Sequence, residues 1–192
     1  MTPVTDPTQE IEALTRQIME LKEKLKEAQR NFPREEIRDY SFQNWDGGTT
    51  SLSELFGDRT DLLVVHNMGK GCVYCTLWAD GLNGLIRPLE DRAAFVVVSP
   101  NDPATQKQFA ASRGWKFRMV SSEGDTFTGD MGFWNESDGY WPGVSAFTKT
   151  PDGKIYRTGK SFFGPGDDFC AAWPLFDLLA DGVNDWEPKY EY

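Results

Sequence analysis

The chain has 192 residues, three cysteines, one histidine and a formal charge of −10, from 20 Lys and Arg against 30 Asp and Glu. That length suits one domain with an appendage and buries a core without staples, while three cysteines are too few for a disulfide scaffold and one histidine excludes a His-rich metal site. The acidic balance argues against a nucleic-acid partner, which needs a basic face, and 7 Trp, 6 Tyr and 13 Phe exclude a disordered acidic chain.

Residues 8–30 read as a helix, with Asp6 as N-cap, Pro7 at the first position and Gln9 completing a capping box. Ile11, Leu14, Ile18, Leu21, Leu25 and Ala28 follow at spacings of 3 and 4, a narrow heptad seam. The seam suits a homodimer, and equally an amphipathic helix packed on its own domain. Pro33 ends the region. Tyr40–Phe42 and Thr49–Ser51 flank Asp46-Gly47-Gly48 as a hairpin. Leu62–Val65 is a continuous apolar run, as in a strand buried on both faces. A helix is expected from Val73 to Ile86, then a buried strand over Ala94–Val98. A second helix should run from Asp102-Pro103 to Arg113-Gly114, followed by a strand at Phe117–Val120. Residues 123–141 read as a long loop. Asp125, Asp130, Glu136 and Asp138 lie in it without the spacing of a calcium loop. Val144–Thr148 and Ile155–Thr158 form a hairpin about Thr150-Pro151-Asp152-Gly153. A last helix is expected from Asp167 to Ala180, carrying Cys170 as a small buried hydrophobe, with Pro174 as an internal defect and Gly182 closing it.

This order predicts an α/β fold whose sheet is partly parallel and ends in a hairpin. It divides the chain into an N-terminal helix and linker over 1–39, a domain over 40–182 and an acidic aromatic tail over 183–192. Residues 166–192 hold seven acids and one base, so most of the net charge belongs there. Trp186, Tyr190 and Tyr192 in that tail either dock on a partner or solvate the terminus, and the latter is expected. No stretch approaches 18 apolar residues, so no membrane partner is expected. The polar opening does not read as a secretory leader, which makes the cytoplasm the expected location.

The chemistry concentrates at His66-Asn67-Met68-Gly69-Lys70-Gly71-Cys72-Val73-Tyr74-Cys75. A Cys-x-x-Cys pair falls between a buried strand and a helix start, where free N–H groups and a partial positive charge stabilise a thiolate. Thiols so placed titrate at roughly 3.5–7.5 instead of about 8.5. Two intervening residues let both sulfurs meet across the first turn, so one can attack and the other resolve a mixed disulfide. Half a zinc site is a competing reading, with only Cys170 and His66 left as soft ligands. Inert cysteines in a domain without chemistry are another. No bound cofactor is needed.

Gly71-Cys72-x-x-Cys75 followed by Trp78-Ala79-Asp80-Gly81 resembles a bacterial domain-of-unknown-function family of thioredoxin-like proteins. Asp39-Tyr40-x-Phe42, Ser51-Leu52-x-x-Leu55-Phe56, Arg113-Gly114-Trp115 and Gly143-Val144-Ser145-x-Phe147 agree with it, as do Val98-Ser99 and Val120-Ser121-Ser122. The resemblance implies a thioredoxin-like fold with a peroxiredoxin-like elaboration and an N-terminal helical extension. Compared with thioredoxins, Cys72 stands as the attacking thiol and Cys75 as the resolving one, and Pro142 is either the counterpart of their cis-proline before the hairpin strand or an ordinary trans loop proline. Val97-Val98-Ser99-Pro100-Asn101-Asp102 and Gly153-Lys154-Ile155 resemble peroxiredoxins. Those proteins require a Thr three residues before the peroxidatic Cys and a supporting Arg. Gly69 precedes Cys72 at that interval and no Arg stands just before Val144, leaving Arg113 and Arg118 as substitutes only if the fold brings one near.

Three further residues are candidates for tuning the pair. His66 is either a satisfied strand histidine or an imidazolium that lowers a thiol pKa. Lys70 is either a solvated charge or a thiolate partner. Asp80 is either a surface carboxylate or, if buried behind Cys75, acceptor of the resolving thiol's proton. Trp78 and Trp115 are expected in the core. The expected function is thiol–disulfide exchange on a protein or small-molecule disulfide, with an external thiol reductant. The alternatives are peroxide reduction and a non-catalytic binding or dimerisation module.

Overall fold

In the computed structural model, residues 6–192 are described. The chain divides into two compact units between Arg34 and Glu35. The described part of the first is dominated by helix α1 (Pro7–Arg30), whose N-cap Asp6 accepts the Thr8 N–H. No residue of α1 is buried.

The second unit is built on an eight-stranded sheet. Its strands are β1 (Glu35–Ile37), β2 (Ser41–Gln43), β3 (Thr49–Ser51), β4 (Asp61–His66), β5 (Ala94–Ser99), β6 (Arg118–Ser121), β9 (Gly143–Lys149) and β10 (Ile155–Phe162), in the order β1-β10-β9-β4-β5-β6-β2-β3. The pairs β4–β5 and β5–β6 are parallel, and β4–β9 and β9–β10 are antiparallel. Parallel strands need crossovers. Helices α3 (Val73–Gly84), α4 (Ile86–Arg92) and α5 (Pro103–Arg113) supply them. The remaining elements are short: α2 (Leu52–Leu55), α6 (Phe127–Asp130), α7 (Ala172–Phe176) and a separate ribbon of β7 (Trp134–Asn135) and β8 (Gly139–Tyr140).

Alternation along the central strands separates two cores. Leu62 and Val64 of β4 join Val96, Val98, Phe127, Phe133 and Phe147 on one face. Val65 joins Phe95, Val97, Trp78, Leu82, Trp115 and Trp173 on the other, under α3 and α5. Both faces are covered, which is why β4 and β5 read as continuous apolar runs.

The elements depart from the sequence reading at several points, the short α2 among them. The helix expected over Val73–Ile86 is α3, which ends at Gly84, and after the exposed Leu85 a further helix, α4, follows that the sequence reading lacks. The loop expected over 123–141 contains α6 and the β7–β8 ribbon. Strand β1 was not foreseen and adds an edge beside β10. The last helix shrinks to Ala172–Phe176, and Cys170 lies before it. Asp167 explains the late start, because its Oδ1 accepts the N–H groups of Phe169 and Cys170 and holds a turn there. Pro174 supplies no N–H to the remaining turn. The tail does not simply solvate the terminus. Trp186 packs on Trp173 and Phe176, Pro188 is buried, and Tyr190 packs on Phe109. Among the described residues no helix is long and apolar enough to cross a membrane.

Candidate active site

Strand β4 ends at the carboxyl edge of the parallel strands, where crossover loops collect. The chain leaves it through Asn67, whose N–H donates to the Val98 carbonyl at 2.8 Å. Asn67 Oδ1 then accepts the Gly69 N–H at 2.8 Å, closing a side-chain turn. Gly69 has φ +101°, and a Cβ there would lie 2.6 Å from Asn101 Oδ1. That oxygen accepts the Lys70 N–H at 2.8 Å. The loop is therefore held from within by Asn67 and from beyond β5 by Asn101.

This brace delivers Cys72 as the N-cap of α3. Its Sγ accepts the Cys75 N–H at 3.0 Å, and its carbonyl accepts from the Thr76 backbone and hydroxyl. Cys75, Thr76, Trp78, Ala79 and Leu82 form the buried face of α3. Cys72 is half-buried, while Cys75 is 3% exposed. The two sulfurs are at disulfide distance, with Cα atoms 5.2 Å apart. A backbone N–H and a helix N-terminus directed at a sulfur are features that in general favour a thiolate over a thiol.

His66 is placed away from this pair. It lies on β4 one residue after Val65, so its ring points to the face opposite α3. There it stacks on Phe133 at 3.9 Å and Phe127 at 5.4 Å, and Nε2 bonds Ser145 Oγ at 2.9 Å. Burial first, then Arg157 and Lys160, push its pKa from 6.5 down to about 3. An imidazolium beside the thiol is thus excluded at neutral pH. Asp80 is also engaged elsewhere: it pairs with Arg113 and accepts from Trp115 Nε1 at 2.7 Å. It is not the free acceptor behind Cys75 that the sequence allowed. The side chain of Lys70 is exposed, and its backbone carries the contacts, since its carbonyl accepts from the Tyr190 hydroxyl at 3.0 Å.

Pro142 sits at the same edge, just before Gly143, which pairs with His66. No cis peptide occurs among the described residues, so of the two readings of Pro142 the ordinary trans proline is the one found. Arg113 is held by Asp80, and Arg118 reaches Thr50 on β3, so neither has the supporting role that peroxiredoxins require. Cys170 is buried, which raises its thiol pKa. A cleft of about 560 Å3 lined by Asp125, Trp134 and Tyr140, among others, contains neither cysteine.

Sequence reasoning assigned no role in holding the loop to Asn67, Gly69, Asn101 or Tyr190. An Asn-x-Gly turn signal was present for the first two. The others arrive through long-range contacts that leave no local signal.

Residues 8–192 match the model of the family described as "Bacterial protein of unknown function (DUF899)". No curated protein matches the sequence. Among solved structures, the peroxidoxin BcpB of Mycobacterium tuberculosis superposes with a TM-score of 0.53 at 20% identity, covering 65% of this chain and 82% of that one. A PrxQ variant of Xylella fastidiosa gives 0.55 at 16% identity, over 69% and 87%. A peroxiredoxin-like protein of Aquifex aeolicus gives 0.53 at 14%, over 67% and 74%. At such identities the likeness is one of fold: mixed α/β, of thioredoxin/peroxiredoxin type.

Proposed function

The chain belongs to the bacterial DUF899 family and has a thioredoxin/peroxiredoxin-like fold, and on that premise we propose that it is a thiol–disulfide oxidoreductase. One observation carries the reading: Cys72 caps α3 half-exposed, with its Sγ accepting a backbone N–H, while Cys75 waits buried one turn in. The exposed sulfur is the nucleophile and the buried one resolves.

The Cys72 thiolate attacks one sulfur of a substrate disulfide. The S–S bond breaks, and the leaving sulfur departs with the electron pair and takes a proton from solvent. Cys75 then loses its proton and attacks Cys72 Sγ, which expels the second substrate thiolate. Two electrons and two protons pass to the substrate, and the 72–75 disulfide remains. An external thiol reductant returns it to the dithiol. Peroxide reduction has less support, because Gly69 replaces the required Thr and both candidate arginines are engaged elsewhere.

The test is the redox equilibrium of the 72–75 pair against glutathione, together with the Cys72 pKa from alkylation rates. The expected pKa falls in the roughly 3.5–7.5 range of activated thiols, and Cys72→Ser should abolish reduction of a model disulfide. An ordinary pKa of about 8.5, with no 72–75 disulfide under mild oxidant, would overturn the reading.

A further inference from the structure

Helix α1 is 24 residues long, roughly 36 Å at 1.5 Å per residue. Ile11, Leu14, Ile18, Leu21 and Leu25 are each between 50% and 65% exposed. Written as heptads, Ile11, Ile18 and Leu25 fall at position a, and Leu14, Leu21 and Ala28 at position d. The flanking positions are all polar: Thr15, Lys22 and Gln29 at e, and Glu10, Gln17 and Lys24 at g. A helix laid on a globular core needs a wider stripe that includes e or g, whereas a stripe confined to a and d is the seam of a coiled coil. Helices draw most of their stability from packing an apolar face, yet this one buries no residue.

We infer that α1 pairs with α1 of a second copy as a parallel, two-stranded coiled coil. Two independent features select that form. β-branched residues at a with leucine at d favour two parallel strands. Ile11 and Ile18 occupy a, opposite layers of Leu14 and Leu21 at d. Charge selects the same geometry. In the parallel pair each g residue meets the e residue five positions on in the other copy. That matches Glu10 with Thr15, Gln17 with Lys22 and Lys24 with Gln29, so no like charges meet. The antiparallel register that overlays all six seam residues sets Ile18 against Leu21 and brings Lys22 of one copy onto Lys22 of the other, which is repulsive. This pairing is independent of the chemistry proposed for Cys72 and Cys75.

Sedimentation of the full chain at tens of micromolar should give twice the 21.7 kDa chain mass. Ile18→Lys should return the monomer mass without changing the near-ultraviolet dichroism of the second unit. In a Cys72→Ser, Cys75→Ser background, Ala28→Cys should cross-link to itself on oxidation, because position 28 faces its own copy only in the parallel form, while the antiparallel register sets it against Ile11. A monomeric full chain, or an Ile18→Lys variant of unchanged mass, would overturn the pairing. Cross-linking between Ile11→Cys and Ala28→Cys copies, with none between two Ala28→Cys copies, would overturn the parallel geometry.

Discussion

Adjacent side chains on a strand face opposite ways, and that alone separates His66 from Cys72, six residues on. The ring is sandwiched by phenylalanines with its Nδ1 lacking a partner. Burial pushes its pKa from 6.5 to about 3. Between those values the unfolded chain binds a proton that the folded chain refuses, so stability falls as pH drops through this window and gains nothing above 6.5. The loss reaches roughly 3–5 kcal/mol at the acid end. Urea unfolding of His66→Phe at pH 7 and pH 4 should show a shallower dependence than the parent chain. Equal slopes would acquit His66. At Asp80 the expected effect is structural. Asp80→Asn loses the charge paired with Arg113 and weakens the Trp115 bond, at about 1–2 kcal/mol for charged hydrogen bonds that are part-exposed. Its melting temperature should fall while the potential of the 72–75 pair holds; a shifted potential would restore Asp80 to the thiol chemistry. The candidate nucleophile itself was legible, because Cys-x-x-Cys between an apolar run and a helical pattern needs only local rules. Its neighbours were not, since Asn101 comes from beyond another strand.

At the scale of elements, periodicity and caps located the strands and helices around the site. Asp102-Pro103 starts α5, and Gly114, with φ +68°, ends it. The hairpin of β9 and β10 followed from Pro151-Asp152-Gly153, although both strands run further toward the site than their apolar pattern shows. That extension depends on Gly143. A Cβ there would meet the Phe133 ring at 2.3 Å and the Ser161 carbonyl at 2.4 Å, so β9 passes the ring only where no side chain intervenes. Gly143→Ala should cost about 2–3 kcal/mol by overpacking, read as a lower denaturation midpoint; a change within error would mean that β9 and Phe133 separate freely. The short helix α7 was overestimated because Asp167 satisfies backbone N–H groups itself, which an apolar count cannot register.

Over the whole molecule, composition assigned most of the charge to residues 166–192 but not their position. Aromatic rings decide that. Trp186 packs between Trp173, Phe176 and Tyr192, and Arg113 donates to the Tyr190 carbonyl. Acidic residues thus ride on a segment anchored by its rings, and Tyr190 reaches the loop that delivers Cys72. Trp186→Ala should cost about 2 kcal/mol, roughly half the value of a fully buried tryptophan, and should quicken hydrogen exchange at the Gly71 and Cys72 amides. Unaltered exchange there would mean that the segment and the loop are uncoupled. The same rings have an optical consequence. Tyr74 stands between the two cysteines and packs on the indoles of Trp78 and Trp173. Disulfides quench nearby indole emission and thiols do so less. Reducing the pair should therefore brighten the native protein's own fluorescence, giving a label-free readout of its oxidation state during turnover.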